Sequence, residues 1–302
     1  MTGKEHSTDS KLLEGDPETT GHSWDGIKEF NNPLPRWWLW TLYGCIVWAI
    51  GYSVLYPAWP LVNSATSGIL GYSTRGEVAA DISSFEAMNA PIRAEIEEVE
   101  LAAINPDDNP HLYNYAQQGG RALFMTWCSQ CHGSGAAGVQ ASGYPNLLDD
   151  DWLWGGSLED IHYTISHGIR NEDDFDARYS QMTPFGDILT DEEIDSVVQY
   201  VRSISDQDHD TTLASAGEEV FLNNCAACHM DDGTGDRFLG APNLTDAIWL
   251  YGGDVDTLEQ TVRYARFGVM PPWSAEASDT GRLSEAEVRS LAVYVHSLGG
   301  GE

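Results

Sequence analysis

Cys128-Ser129-Gln130-Cys131-His132 and Cys225-Ala226-Ala227-Cys228-His229 are two copies of one pattern, C-x-x-C-H, 97 residues apart. Two thiols at this spacing can reach the two vinyl groups of one porphyrin, and the adjacent histidine then sits under the iron as proximal ligand. The pattern therefore reads as covalent attachment of a c-type heme, twice. A four-cysteine zinc site or a redox dithiol uses the same C-x-x-C pairs. Zinc needs the two pairs brought together, and it has no use for a histidine after each.

Working outward, the shift of 97 carries Gly120 to Gly217 and Phe124 to Phe221. It also carries Pro145-Asn146-Leu147 to Pro242-Asn243-Leu244, Trp152-Leu153 to Trp249-Leu250, and Gly155-Gly156 to Gly252-Gly253. The chain thus repeats one module, at 112–205 and 212–299. Each module opens with a segment of helical spacing in which glycine and phenylalanine, four apart, share a face. Glycine there permits close approach by another helix. Each closes with a capped helix, Thr190-x-x-Glu193 or Ser284-x-x-Glu287. Val197, Tyr200, Val201 and Ile204 then form an apolar stripe, matched by Val288, Leu291, Val295 and Leu298. Nothing in either module reads as a strand, so the expected fold is all-α, with two tandem class I cytochrome c domains.

A c-type heme held by one histidine needs a sixth ligand or an open site, and a methionine thioether is a common sixth ligand. Of six methionines, Met1 and Met88 lie outside both modules, and Met230 adjoins His229. Met125, three residues before Cys128, is expected to pack in the core. Met182 and Met270 remain, each in the second half of its module and each in a proline-stiffened loop, Met182-Thr183-Pro184-Phe185 and Met270-Pro271-Pro272-Trp273. The expected axial set is His132, Met182, His229 and Met270. His162, His167 and His296 are the competitors for bis-histidine ligation. With both irons six-coordinate the chain is a relay, with no catalytic residues of its own.

From Trp37 to Thr74 there is no Asp, Glu, Lys or Arg. The apolar part, residues 37–59, is long enough to cross a bilayer with some tilt. Trp37, Trp38 and Trp40 at one end and Tyr56 and Trp59 at the other form interfacial belts, and Pro57 and Pro60 end the helix. A cleaved signal peptide fits poorly, because 36 mostly polar residues come first. Lys28 and Arg36 on the near side, with nothing basic until Arg75, put residues 1–36 in the cytoplasm and the heme modules outside. Cys45, mid-span, reads as a small helix-packing residue. Residues 60–111 read as a helical linker, either a rigid stalk or a helix packing on a partner subunit, in which Val78, Ile82, Phe85, Ile92, Ile96, Val99 and Ala103 keep mostly helical spacings and Pro91 should break or kink the helix.

The 302 residues carry 47 acidic and 15 basic side chains, for a net charge of −32. After residue 57 eleven arginines stand against forty acids, with no lysine. This excludes nucleic acid as a partner, because polyanions repel. The acids are dispersed, which fits a solubilising or salt-adapted surface, and is compatible with docking of a basic partner.

Two heme-c modules behind one N-terminal span resemble subunit III, the diheme cytochrome c subunit, of cbb3-type cytochrome c oxidases. The stretch from Trp24 to Trp38, WDGIKEFNNPLPRWW, is similar to that family's N-terminal signature. The chain departs from the family's pattern in its extreme acidity and at Thr183 in the Met182 loop, where the family often has a second proline. The resemblance implies two covalently bound heme c groups, on Cys128 and Cys131 and on Cys225 and Cys228. It implies electrons arriving from a soluble or membrane-bound cytochrome c and leaving for a catalytic subunit, where oxygen becomes water and protons are pumped. A monoheme cytochrome subunit and the lipid bilayer of the bacterial inner membrane complete the implied partners. The other readings are a free membrane-anchored diheme carrier, the cytochrome subunit of a periplasmic dehydrogenase, and a diheme peroxidase, which needs one open iron.

Overall fold

The computed structural model describes residues 15–302 apart from Gly26, so Lys4, Lys11 and the rest of the first fourteen residues lie outside the described residues. The chain divides into two compact units between Glu86 and Ala87.

In the first unit, β1 (Thr19–Trp24) pairs antiparallel with β2 (Ile27–Phe30). The hairpin carries the start of the N-terminal signature and lies outside both modules. Helix α1 (Arg36–Leu55) has 20 residues, none buried, and is long and apolar enough to cross a membrane. At about 1.5 Å per residue it spans about 30 Å, the thickness of a bilayer's hydrocarbon core. It ends four residues before Trp59. Tyr56 is already extended, at φ −115° and ψ 162°, because a residue preceding proline is driven out of the α region. Cys45 is exposed on this helix.

Helix α2 (Thr74–Glu98) is continuous through Pro91, where a break or kink is expected from sequence. Beyond Pro91 the helix is anchored by packing. Ile92, Ile96 and Val99 join a core with Ile104, Leu112, Ala116, Ala286 and Val293. Arg289 Nη1 donates to the carbonyls of Ile96 and Val99, at 3.0 and 2.6 Å, which satisfies acceptors that a helix C-terminus leaves unpaired. Val78, Ile82 and Phe85, on the earlier turns, are exposed.

The rest of the second unit contains the two repeats. The first supplies α3 (Pro110–Leu123), a π-turn at Phe124–Cys128, α4 (Ser129–His132), α5 (Leu158–His167) and α6 (Asp191–Ile204). The second supplies α7 (Thr211–Asn224), α8 (Ala226–His229), α9 (Val255–Tyr264) and α10 (Glu285–His296). Both expected capping boxes form. Glu193 accepts from the Thr190 N–H, and Glu287 accepts from the Ser284 N–H, each at 2.9 Å.

The helices pair across the repeats. The closing helix of the first, α6, packs on the opening helix of the second, α7, while α3 packs on α10. A Cβ on Gly120 would lie 2.1 Å from the Ser290 carbonyl oxygen, and one on Gly217 would lie 2.0 Å from that of Ser196. Only the six residues from Ser205 to Asp210 join α6 to α7, and Asp210 caps α7 by accepting from the N–H groups of Thr212 and Leu213. A joint this short makes consecutive helices neighbours, which leaves α3 and α10 to each other.

Two mixed cores result. Phe124, Ile161 and Ile165 of the first repeat are buried with Leu283, Val288, Leu291 and Val295 of the second. Ile194, Val197, Val198 and Val201 of the first are buried with Phe221, Ala226 and Leu258 of the second. Phe124 and Phe221 are fully buried, and each such side chain contributes about 1.5–3 kcal/mol over leaving it exposed.

Candidate functional site

Each C-x-x-C-H segment occupies a helical turn following the repeat's opening helix. One thiol of each pair is half-buried (Cys128, Cys225) and the other exposed (Cys131, Cys228). None of the four forms a disulfide. Burial pushes the Cys128 and Cys225 thiols up to about 11, with their partner cysteines adding to the shift. His132 Nδ1 lies 3.4 Å from the Pro145 carbonyl oxygen, and His229 Nδ1 lies 3.1 Å from that of Pro242. These prolines are repeat equivalents. The carbonyl fixes the ring and its tautomer, so Nε2 is left unprotonated and free to act as a metal ligand. Burial lowers the pKa of both histidines, outweighing the raising effect of the proline carbonyls. That favours the neutral, ligating form.

Cys225, Cys228 and His229 line a cavity of about 580 Å3 together with Met182, Phe221, Val197 and Leu258. Its size suits a small-molecule or cofactor site, and the donor set of two thiols, imidazole and thioether fits heme c. Met182 reaches this cavity from the other repeat. The turn after it is held against α9. A Cβ on Gly186 would meet the Arg263 carbonyl oxygen at 3.1 Å, and Arg263 pairs with Asp191 at 2.6 Å.

Met270 crosses in the opposite direction. It packs with Cys128, Phe124, Ile161 and Ile165 in the core of the first C-x-x-C-H segment. Its backbone is paired with Ile169, just after α5: Ile169 N donates to Met270 O at 2.9 Å, and Met270 N donates to Ile169 O at 3.0 Å. Trp273 N donates to Ile165 O at 3.1 Å, and the rings of Trp127 and Trp273 are 5.9 Å apart.

The competing histidines are engaged elsewhere. His162 Nε2 is 3.0 Å from Glu285 Oε1, His167 Nδ1 is 2.8 Å from Asp174 Oδ2, and His296 Nε2 is 3.0 Å from the Glu302 carbonyl oxygen. Met125 is 45% exposed, not in the core as expected from sequence. The π-turn that contains it sets it outward, while Phe124 is fully buried. Acids line the cavity too. Asp151 is raised to about 6, by burial first and then by Asp246 and Asp149.

Sequence reasoning missed the roles of Pro145 and Pro242, although their repetition at the interval of the cysteines was the available signal. It also missed Arg170, which lines the cavity. No repeat marks it, since the equivalent position holds Phe267.

A helix fit to span a membrane, two C-x-x-C-H segments with oriented histidines, and a methionine brought to each define a membrane-anchored diheme cytochrome c. The model for the N-terminal domain of cytochrome oxidase-cbb3, FixP, matches residues 16–63. That for cytochrome c oxidase, cbb3-type, subunit III matches residues 116–201 and 212–295. The chain is 60% identical over 295 residues to a cbb3-type cytochrome c oxidase subunit CcoP of Cereibacter sphaeroides, covering 97% of this chain and 98% of that one. It is 51% identical over 292 residues to a CcoP subunit of Rhodobacter capsulatus, covering 94% and 96%. It is 50% identical over 289 residues to a FixP subunit of Azorhizobium caulinodans, covering 95% of each. The chain belongs to the family of subunit III of cbb3-type cytochrome c oxidases. It is accordingly an electron-transfer subunit of such a complex, with two covalently bound heme c groups.

Proposed function

We propose that Cys128 and Cys131 carry one heme and Cys225 and Cys228 the other, with His132 and His229 as proximal ligands. Met270 completes the coordination of the first iron and Met182 that of the second, so each repeat supplies the sixth ligand of the other's heme. The observation that carries this reading is the pairing of the Met270 backbone with Ile169 in the first heme's core, mirrored by Met182 on the cavity of Cys225, Cys228 and His229. Bound hemes supply reversible one-electron chemistry, and the thioether ligands raise their potentials. The protein's part is to hold them six-coordinate in largely apolar surroundings.

Electrons enter from a soluble or membrane-bound cytochrome c and leave for the catalytic subunit of the complex, which reduces oxygen to water. The chain's acidic external surface suits a donor with a basic face. Residues 1–36 lie in the cytoplasm and the heme units outside, which is supported by Lys28 and Arg36 and by the extracytoplasmic chemistry of heme attachment.

The test uses full-length protein with Cys225→Ala and Cys228→Ala, which retains the first heme alone. Met270→Ala then abolishes the sulfur-to-iron charge-transfer band of the oxidised heme, and Met182→Ala leaves it. The reverse result assigns each methionine to its own repeat and sinks the crossed reading.

A further inference from the structure

Arg170 follows the residue whose backbone pairs with Met270, and its guanidinium lies between the two methionine loops. Its Nε donates to the Ser180 carbonyl oxygen at 2.5 Å, and its Nη1 donates to the Gly268 carbonyl oxygen at 3.2 Å. Ser180 stands two residues before Met182, and Gly268 stands two residues before Met270. One side chain thus bonds equivalent points of both loops. The guanidinium carbon sits 6.0 Å from the ring centres of both Trp154 and Phe267, Phe267 itself belonging to the second loop. Among the described residues no carboxylate forms an ion pair with it. Its bonds are to main-chain oxygens, which arginine's rigid fork suits and a single ammonium suits less well. Main-chain partners also make the contact independent of the side chains at 180 and 268.

We propose that Arg170 is the positioning residue for both axial methionines, a single clamp that makes the sixth ligands of the two hemes depend on each other. The proposal rests on the crossed ligation above. Releasing the clamp loosens Met182 and Met270 together, although they serve different hemes. A residue that braced one repeat would affect one heme.

The experiment uses the full-length heme-loaded chain in detergent, with imidazole as the probe that displaces a loosely held methionine. Met182→Ala and Met270→Ala each leave one sulfur-to-iron band, so each background reports one heme. Arg170→Gln should strengthen imidazole displacement of the remaining methionine by about tenfold in both backgrounds, the order that one charge-assisted hydrogen bond supplies. Arg170→Lys keeps the charge and should give a smaller change of the same sign in both. It decides the matter if the glutamine variant does not fold. Arg178→Gln is the control for general loosening. Arg178 faces the same Trp154 ring at 5.6 Å but bonds Asp160 instead of a methionine loop, so its loss should lower stability without changing imidazole displacement. A change confined to one background, or absent from both, overturns the clamp. If the two backgrounds do not each lose one band, the axial assignment fails first and the clamp falls with it.

Discussion

Gly217 and Ser196 touch at the crossing of α7 and α6: a Cβ on the glycine would lie 2.0 Å from the serine's carbonyl oxygen. The contact is between backbones, which cannot move aside as the end of a flexible side chain can. Gly217→Ala should therefore destabilise the diheme unit by about 1–3 kcal/mol, as other overpacked cores are destabilised. Gly120→Ala, aimed at Ser290, should do the same. Gly119 is the internal control. It is the helical neighbour of Gly120 but has nothing within 4 Å of an added Cβ, so Gly119→Ala should stabilise by about 0.5–1 kcal/mol. Thermal unfolding of the three heme-loaded variants decides.

Much of this architecture was legible in the sequence. Gly120 and Gly217 announced close helix approach, the capping boxes fixed the starts of α6 and α10, and the charge-free run from Trp37 marked the span. Which helix meets which was harder to read, for a physical reason. Both opening helices carry the same glycine and phenylalanine, and both closing helices carry equivalent apolar stripes, so pattern alone does not choose a partner. The choice rests on the short joint after Ile204, whose length makes α6 and α7 a hairpin. Met182 lies on the cavity of Cys225, Cys228 and His229, and Met270 packs beside Cys128, a crossing that follows from that hairpin and not from local sequence. Arg170 left no trace, because its partners are carbonyl oxygens, which every residue has.

His162, His167 and His296 should be spectroscopically silent. Their ring nitrogens are held by Glu285, Asp174 and the Glu302 carbonyl. Replacing any of them by alanine should leave both sulfur-to-iron bands and the reduced spectra unchanged. Loss of a band in His162→Ala or His167→Ala would instead revive bis-histidine ligation of the first heme.

Glu285 opens α10 and ties it to α5. The hydrogen bond from His162, and after it the one from Arg289, hold its carboxyl at about 2, below the ordinary 4.5, against the opposing effect of burial. A carboxylate depressed in the folded state stabilises the protein above its unfolded pKa and loses that contribution as pH falls through the folded value. The contribution is thus complete above about pH 4.5 and gone near pH 2. Glu285→Gln should lower the melting temperature at pH 7 and make little difference near pH 2, with the two pH profiles converging across that window. Parallel profiles would mean that the ion pairs with His162 and Arg289 contribute nothing.

The forty acids after residue 57 make a further prediction, about rate. If they steer a basic donor, electron transfer from a lysine-rich cytochrome c must weaken as salt screens the field. Between about 0.01 M and about 0.1 M ionic strength the screening length shrinks from about 30 to about 10 Å. The second-order rate should then fall by about tenfold or more, since steering of this kind raises association by about ten- to a thousand-fold. An anionic cytochrome of similar potential should react slowly at low salt and gain as salt is added. Acids that lie well away from the entry site give little such contrast, because salt screens charges beyond about 10 Å at about 0.1 M. Stopped-flow reduction of the heme-loaded chain by the two donors, across that salt range, separates these cases. Opposite salt slopes mark the acidity as part of the electron entry site, and equal slopes remove it from that role.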